Sequence, residues 1–463
     1  MFYFNFILLS VFVLFALWFA LSSFKEKILR AGILGLLLTV VLTAFLGFYS
    51  WAFRESLLSG SFMMALQWTG GGVMAAFTLS MFLPVGRRPE SLKGTEGMKT
   101  DNGVRFNQKD TAFNIAHVGG YGPEVGKKRW ALQSRDPFAG IYWTLCMGMR
   151  GQAEGRVNPE RRTGFTREQI TREIKRIARY AGADLVGITR VKEDFTYQEN
   201  FSYEKSRLEI GPAVTVPVDL KHKYAIVFAR EMSYDRIRKT LTDGNQESLG
   251  EIGKTYFELA QIACSVAAYI RQLGYSARAH HIRNEQVFHV PHAVDAGLGE
   301  QGRHNYLITS KFGPRVRLST VTTDLELVED GPVDIGVQDF CERCRLCEIN
   351  CPSQALASGK AVVRGYRKWP QEQEKCFLFW VTGGNTMGCT LCLKVCPWNK
   401  PNSFVHRVSF FAASRSLIAR RVLYWITLIF YGKRTPWKRE PLPERIELPP
   451  EIQSLVDGYR KEG

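Results

Sequence analysis

Three long apolar stretches occupy the N-terminal end of the chain. Residues 1–24, 31–53 and 62–85 contain no Asp, Glu, Lys or Arg. Each is long enough for a helix to cross a hydrocarbon core of roughly 30 Å. The first has neither a basic region before it nor a small-residue cleavage site, so we predict that it is retained rather than cleaved as a signal peptide. The pattern predicts a three-helix transmembrane anchor over residues 1–86.

Basic residues near these stretches predict the orientation. The loop after the first stretch contains Lys25, Lys27 and Arg30, whereas the loop after the second contains only Arg54. Further basic residues follow the third stretch, namely Arg87, Arg88, Lys93 and Lys99. Because cytoplasmic loops carry an excess of Lys and Arg, we expect a multi-pass protein of the cytoplasmic (inner) membrane whose remaining domains face the cytoplasm.

The pattern changes after residue 86. Residues 87–162 are rich in Gly, Lys and Arg and have weak periodicity, which predicts an irregular arm. Its aromatic residues favour an arm that wraps over a folded domain rather than a disordered linker. They are Phe106, Phe113, Tyr121, Trp130, Phe138, Tyr142 and Trp143.

Helix and strand patterns follow in residues 163–335. A helix with capping-box spacing is predicted from Thr166 to Gly182. Short apolar runs at Ala183–Ile188 and Tyr224–Phe228 predict buried strands. Apolar residues recur at helical spacing between Gly250 and Leu273. The fold class of this part is therefore α/β.

The cysteines are concentrated in one stretch of the chain. Eight of the ten lie from Cys341 to Cys396, within a C-x2-C-x2-C-x3-C-P motif, a lone Cys376 and a C-x2-C-x3-C-P motif. Three thiolates separated by two residues can hold three irons of one [4Fe-4S] cluster, while the fourth, before a proline, serves the other cluster. The first cluster is therefore assigned to Cys341, Cys344, Cys347 and Cys396. The second is assigned to Cys351, Cys376, Cys389 and Cys392.

Two other uses of clustered cysteines fit less well. A single tetrahedral zinc ion needs ligand pairs at knuckle spacing, and this run is too tight for it. A disulfide framework needs an oxidising compartment and is typical of small scaffolds. Residues 336–405 are therefore predicted to form a ferredoxin-like module with two [4Fe-4S] clusters.

Residues 406–463 form a C-terminal extension. Its apolar segment Val422–Tyr431 lies between Arg420-Arg421 and Lys433-Arg434 and is too short to span a membrane. A helix in the cytoplasmic interface and a helix buried in the protein core both fit this pattern.

Charge adds one constraint on partners. The chain has 463 residues, 45% hydrophobic and 23% charged, with a formal net charge of +17. A basic balance suits nucleic acid, acidic partners or an anionic membrane surface. The apolar N-terminal stretches favour the membrane, and no nucleic-acid partner is expected.

A glycine-rich segment precedes the cysteine module. It runs from Ala296 to Asn305 and reads AGLGEQGRHN. Together with the segments FGPRVRL from Phe312 and TDL from Thr323, and with the cysteine module, it resembles the corrinoid-dependent reductive dehalogenases over roughly residues 106–437. It is also similar to the related epoxyqueuosine reductases. The resemblance implies a nitroreductase-like core over residues 163–335 that binds base-off cobalamin and removes halide from an organohalide, which we expect to be aromatic.

The resemblance also assigns site residues. It implies that Tyr256 donates a proton to the carbon that loses its halide. Arg303 is the implied cation that lowers the pKa of this phenol, and Asn284 is a further polar residue, for which Arg283 competes. The implied corrinoid contacts are Gly297, Gly299, Gly302 and His304.

Three functions fit this combination. We favour a membrane-anchored reductive dehalogenase of organohalide respiration, with quinol, a ferredoxin or flavodoxin, or a reductase as electron donor. An epoxyqueuosine-reductase-like tRNA-modifying enzyme is the first alternative, but the apolar helices count against it, and the Asp of that family is absent at Arg283-Asn284. A membrane iron-sulfur electron carrier without corrinoid is the second, and it would leave the α/β domain without a role.

Overall fold

The structure, a computed structural model, describes residues 2–55, 60–84, 91–134, 137–202, 213–242, 245–384, 386 and 388–437. The chain divides into two units. The helical unit comprises Met1–Arg88 and Lys400–Arg434, and the α/β unit comprises Pro89–Asn399 and Thr435–Gly463.

The helices of the described residues are α1 (Phe2–Lys25), α2 (Leu29–Arg54), α3 (Ser61–Ser80), α4 (Ala112–His117), α5 (Pro123–Ser134), α6 (Pro137–Gly148), α7 (Arg167–Tyr180), α8 (Tyr234–Ile237), α9 (Asn245–Gln272), α10 (His289–Asp295), α11 (Val337–Arg343), α12 (Leu346–Ile349), α13 (Gln373–Leu378), α14 (Leu391–Lys394), α15 (Phe404–Arg415) and α16 (Leu417–Tyr431). The strands are β1 (Leu185–Arg190), β2 (Glu199–Phe201), β3 (Thr215–Pro217), β4 (Tyr224–Glu231), β5 (Ala277–His280), β6 (Glu300–Gln301), β7 (Leu307–Ile308), β8 (Val316–Thr323), β9 (Ala361–Val363) and β10 (Tyr366–Lys368).

The helical unit begins with a hairpin of α1 and α2. Among the described residues, these two helices are long and apolar enough to cross a membrane. Small residues line their contact, where a Cβ on Gly35 would lie 3.1 Å from the Cα of Ala20. The third predicted span corresponds to α3, which has 20 residues and is not one of the two. The structure therefore supports two of the three predicted spans.

The two C-terminal helices α15 and α16 belong to the same unit. The Ser416 hydroxyl donates to the carbonyl of Ser80 at 2.7 Å, and His406 Nε2 lies 3.2 Å from the Glu26 carboxylate. On α16, Trp425 and Ile429 are 62% and 54% exposed. The face of α16 that carries these two side chains is therefore not buried in a protein core among the described residues.

A four-stranded antiparallel sheet forms the centre of the α/β unit, in the order β1-β4-β8-β5. The two predicted strands are confirmed as β1 and β4, with boundaries shifted by a few residues. Every residue of β8 is buried, as expected for a central strand covered on both faces.

Helices cover both faces of this sheet. Leu259 and Val266 of α9 pack with Val321 on one face. On the other face, Val294 of α10 packs with Leu318. Because side chains alternate along a strand, the odd-numbered positions of β8 point towards α9. The hydroxyl of Ser319 accordingly donates to the Leu259 carbonyl at 3.2 Å.

The start of α7 agrees with the sequence prediction. The Gln169 amide N–H donates to the Thr166 hydroxyl at 3.2 Å, and the Gln169 side chain accepts from the Thr166 N–H at 2.8 Å, completing a capping box. The helix ends before Gly182, whose φ of +110° is available to glycine.

The arm differs from its prediction. Residues 87–162 were expected to be irregular, but they contain α4, α5 and α6. Side-chain caps explain part of this order, since the Thr111 hydroxyl accepts the Asn114 N–H at the start of α4. The arm does contact the domain, because the Thr95 hydroxyl donates to Asp295 at 2.7 Å and Trp143 lies 5.7 Å from Tyr256. The side chains of Trp130 and Phe138 lie outside the described residues.

Candidate active site

Four of the predicted cluster ligands line one cavity. Cys341, Cys344, Cys347 and Cys396 are buried and face it from α11, α12 and the turn after α14. The rest of the wall consists of His304, Phe340, Pro397 and Trp398. The structure therefore brings together the four thiols that spacing assigned to the first cluster, in an enclosed pocket lined by soft ligands. We call them the first cysteine group.

The other four cysteines also influence one another. Burial raises the pKa of the Cys376 thiol to about 11 and that of Cys389 to about 12, and Cys351 raises both further. The pKa of Cys392 is raised by burial and then by the same neighbours, and also by Cys347 of the first group. This second cysteine group is thus adjacent to the first.

Arg303 contacts the cysteine module rather than the predicted phenol. Its side chain is 1% exposed and donates to the carbonyls of Cys341 at 2.7 Å and Ala357 at 3.1 Å. It also lies 3.4 Å from the Glu348 carboxylate and stacks over Trp369 at 5.1 Å. Because these partners occupy the guanidinium, Arg303 fixes the backbone of the first cysteine group. The predicted pairing of Arg303 with the proton donor is therefore corrected.

The cation beside Tyr256 is Arg317. Its guanidinium carbon lies 5.2 Å from the ring centroid of Tyr256 and 5.5 Å from that of Tyr306. Burial alone lowers the pKa of Arg317, but the two phenols outweigh burial, and the pKa is raised. Arg317 points towards α9 because it occupies an odd-numbered position of β8, and α9 carries Tyr256.

This group of side chains adjoins the second cysteine group. Tyr256, Tyr306 and Cys392 pack against the same apolar cluster, together with Trp143. Burial raises the pKa of Tyr306, and Cys392 raises it further. A redox centre on the second group would therefore lie next to the phenols.

Two polar atoms here have no hydrogen-bond partner among the described residues. Tyr256 is half-buried, and no hydrogen bond joins its hydroxyl to the described residues. The Nε of Arg317 is buried and has no partner in the described chain. Buried polar groups are ordinarily satisfied, so the unsatisfied Nε of Arg317 beside the Tyr256 ring marks a place where a ligand would complete the hydrogen bonding.

The side chain of Asn284 contacts residues other than Tyr256 and Arg317. Its side-chain oxygen accepts from Arg278 at 3.0 Å, and its amide donates to the Arg150 carbonyl at 3.2 Å. The competing Arg283 adopts a φ of +60°, and its guanidinium lies 4.0 Å from the sulfur of Met147. The structure does not bring Asn284 into contact with Tyr256.

The three predicted cofactor-binding glycines approach the backbone of the chain itself. A Cβ on Gly297 would lie 2.4 Å from the Gly331 carbonyl oxygen, and one on Gly299 would lie 2.1 Å from the Ile308 oxygen. A Cβ on Gly302 would lie 2.7 Å from the Ile308 side chain. Close packing against backbone therefore requires glycine at Gly297 and Gly299, whereas the nearest atom to a Cβ on Gly302 is the flexible end of the Ile308 side chain.

Sequence reasoning missed Arg317 and Tyr306. Arg317 lies in the segment FGPRVRL, which carried the family resemblance, and Tyr306 directly follows the glycine-rich segment. Side chains alternate between the two faces of a strand, so in PRVRL the side chain of Arg317 lies on the opposite face from those of its even-numbered neighbours. This alternation was the signal that the sequence offered for Arg317. Which face of the strand meets α9 became known only from the sheet.

Comparison with known proteins finds an iron-sulfur family and two kinds of related enzyme. Residues 340–400 match the family described as 4Fe-4S dicluster domain. A tetrachloroethene reductive dehalogenase of Desulfitobacterium hafniense is 33% identical over 304 residues, which are 56% of this chain and 54% of the relative. An epoxyqueuosine reductase of Cellulophaga algicola is 33% identical over 124 residues, which are 24% of this chain and 38% of that protein.

Solved structures of reductive dehalogenases are also similar to this chain. A reductive dehalogenase whose structure suggests a mechanism for B12-dependent dehalogenation matches with a TM-score of 0.63 and 28% identity, covering 73% of this chain and 50% of that chain. A catabolic reductive dehalogenase in complex with 3-bromo-4-hydroxybenzoic acid matches with a TM-score of 0.63 and 27% identity, over the same shares of 73% and 50%.

The similarity is partial in length. The chain spans about half the length of the dehalogenase relatives it matches, at 54% and 50%. The matched dehalogenase segment covers more of this chain than the epoxyqueuosine reductase segment, 56% against 24%. Over its matched residues, the chain is similar to reductive dehalogenases and carries a 4Fe-4S dicluster domain.

Proposed function

We propose that this chain is a membrane-anchored reductive dehalogenase, an oxidoreductase that replaces the halogen of an organohalide with hydrogen. The net reaction consumes two electrons and one proton and releases halide. The observation that carries the proposal is that Tyr256 contacts Arg317 and packs against the same apolar cluster as Cys392 of the second cysteine group. This arrangement combines a proton donor with an adjacent electron supply.

The eight cysteines are the proposed ligands of two [4Fe-4S] clusters. The cavity shared by the first group and the mutual effects within the second support this ligand set. Clusters held there supply electrons one at a time at low potential. The adjacency of Cys347 and Cys392 supports transfer between the two centres.

We further propose a corrinoid as the group that acts on the carbon–halogen bond. When bound, a corrinoid supplies a low-potential cobalt that can cleave this bond. The unsatisfied hydroxyl of Tyr256 and the unsatisfied Nε of Arg317 fit a bound group at this place. The similarity to a structure linked to B12-dependent dehalogenation also supports it.

Tyr256 is the proposed proton donor. A phenol has a pKa near 10, so loss of its proton at neutral pH needs a neighbouring charge that stabilises the phenolate. Arg317 supplies that charge from a buried strand, where the guanidinium cannot drift away. Tyr306 and Trp143 limit the access of water to the phenol.

The proposed substrate is a halogenated aromatic compound. The rings of Trp143 and Tyr306 beside Tyr256 would contact a flat apolar molecule. One similar enzyme was solved with 3-bromo-4-hydroxybenzoic acid, while other relatives are tetrachloroethene dehalogenases. A halogenated phenol is therefore the first substrate to test.

The helical unit is the proposed anchor. Its apolar helices α1 and α2, with α3, would hold the α/β unit at the cytoplasmic face of the inner membrane. Quinol, a ferredoxin or flavodoxin, or a reductase would reach the clusters there as electron donor.

The decisive experiment is anoxic purification in the presence of corrinoid, followed by metal analysis and halide release from bromophenols with a strong chemical reductant. We expect cobalt and iron in the same fraction and release of bromide. Iron without cobalt or bromide release would favour an iron-sulfur electron carrier. Reduction of epoxyqueuosine in tRNA without bromide release would favour the tRNA-modifying alternative.

A further inference from the structure

His304 is a buried imidazole in the wall of the first cysteine cavity. Its side chain is 2% exposed and shares this cavity with Cys341, Cys344, Cys347 and Cys396. The glycine-rich segment leaves room for the ring, because a Cβ on Gly302 would lie 3.0 Å from its Cε1. The ring therefore reaches this cavity from the glycine-rich segment.

A backbone hydrogen bond fixes which nitrogen of His304 carries the proton. The Tyr306 N–H donates to Nδ1 at 3.2 Å, so Nδ1 is the acceptor and a neutral ring carries its proton on Nε2. The Nε2 atom is buried and has no partner among the described residues.

A buried N–H without an acceptor is unfavourable, and the cavity offers few acceptors. The side chains of Phe340, Pro397 and Trp398 have none. The remaining residues of the wall are the four cysteines, whose sulfur atoms can accept a hydrogen bond. A cluster held by those sulfurs would bring further sulfur acceptors into the same space.

We propose that the Nε2–H of His304 donates a hydrogen bond to a sulfur atom of the iron-sulfur cluster held by the first cysteine group. The acceptor is a cysteine thiolate or a bridging sulfide. Reduction adds negative charge to the cluster, so a donor stabilises the reduced state more than the oxidised state. His304 is thus a positioning residue that raises the reduction potential of this cluster relative to a chain without the donor.

The second cysteine group has a different neighbour, which provides a matched control. Trp380 follows Cys376 by four residues, and its indole Nε1 is buried without a hydrogen-bond partner among the described residues. Trp380→Phe should therefore alter the second cluster and leave the first unchanged. The inference rests on the proposed cluster ligands and not on dehalogenation, so a chain that failed to release halide could still satisfy it.

The test uses the full chain, purified without oxygen in detergent, as wild type, His304→Phe, His304→Gln and Trp380→Phe. Iron and sulfide analysis first establishes that each variant holds both clusters. Redox titration followed by electron paramagnetic resonance should give a lower midpoint potential for one cluster in His304→Phe and partial recovery in His304→Gln, whose amide is also a donor. Trp380→Phe should shift the other cluster.

A second measurement does not depend on a variant that folds. Wild type labelled with ¹⁵N-histidine should show nitrogen hyperfine coupling to one reduced cluster. Where His304→Phe also loads its clusters, the coupling should be absent there. Unchanged potentials in fully loaded His304→Phe would overturn the inference. Absence of nitrogen coupling in the labelled wild type would overturn it as well, even where the variant does not load.

Discussion

The guanidinium of Arg317 lies 5.2 Å from the ring centroid of Tyr256, and this contact joins the central strand β8 to helix α9. Both side chains are held by elements that pack against each other through the core. The distance between cation and phenol is therefore set by the fold itself. Such preorganisation is what allows a phenol to act as an acid without a rearrangement during the reaction.

Replacing Tyr256 by Phe should reduce turnover by about 10²- to 10⁴-fold, the range for loss of a general acid. Iron and cobalt contents should stay at wild-type levels, because the hydroxyl has no hydrogen bond in the described chain. Tyr269→Phe is the matched control on the same helix, since the Tyr269 hydroxyl contacts Glu173 at 3.4 Å instead. Near-normal halide release by Tyr256→Phe would exclude this residue as the proton donor.

Replacing Arg317 by Gln should impair turnover, whereas replacing Arg303 by Gln should impair cluster binding. Arg317→Gln should lower turnover by about 10²-fold or more while the clusters remain, since the charge beside the phenol is lost. Arg303→Gln should release iron, because its contacts with the carbonyls of Cys341 and Ala357 hold the first cysteine group. Iron analysis and halide release measured on both variants separate the two roles. The reverse pattern would restore the pairing expected from sequence.

The contrast between these two arginines shows where sequence reasoning stopped. Cysteine spacing was sufficient to group the four thiols that line one cavity, because the geometry of a cubane limits which thiols can share it. No comparable local rule relates Tyr256 to a cation 61 positions later. That relation depends on the pairing of β8 with β4 and on the face that α9 covers.

The helices also differ in whether local sequence predicts them. The capping box at Thr166 is a local signal, and the structure reproduces it. The helices of the arm carry weak periodicity, and α6 is ordered by packing on α9 through contacts such as Trp143 with Tyr256. Order that depends on a distant partner is invisible to a window of neighbouring residues.

Gly297→Ala should destabilise the α/β unit by about 1–3 kcal/mol. Gly297 has a φ of +72°, and its added Cβ would lie 2.4 Å from the Gly331 carbonyl oxygen, so both strain and a clash result. Gly331→Ala is the control from the other side of the same contact, since its Cβ would meet open space. Urea unfolding followed by tryptophan fluorescence measures both. Equal midpoints for the two variants would contradict the close approach.

The free energy of unfolding should decrease as the pH rises from about 5 to about 7, because Glu300 titrates in this range. Burial raises the pKa of this carboxyl from 4.5 to about 7, although it accepts the backbone N–H groups of Ile335 and Val337. The folded state therefore holds its proton more tightly than the unfolded state, and stability is lost as pH rises towards the folded pKa. Above about pH 8 this contribution should be constant.

Glu300→Gln should flatten this dependence. It should not remove it, because burial also raises the pKa of Glu285 to about 7. The measurement is the urea midpoint of wild type and variant at a series of pH values without oxygen. An unchanged slope in the variant would show that Glu300 does not titrate in this range.

Removal of residues 1–88 should convert tight membrane attachment into weak, salt-dependent binding. In the full chain, α1 and α2 resist extraction by alkaline carbonate if they span the bilayer. The truncated chain keeps α16, whose exposed Trp425 and Ile429 and nearby Lys433 and Arg434 suit an anionic interface. It should therefore bind anionic vesicles at low salt and leave them at high salt, as screened charge attraction requires.

Replacing Lys433 and Arg434 by Gln should weaken the binding of the truncated chain at low salt. Release of the full chain by alkaline carbonate would contradict the anchor.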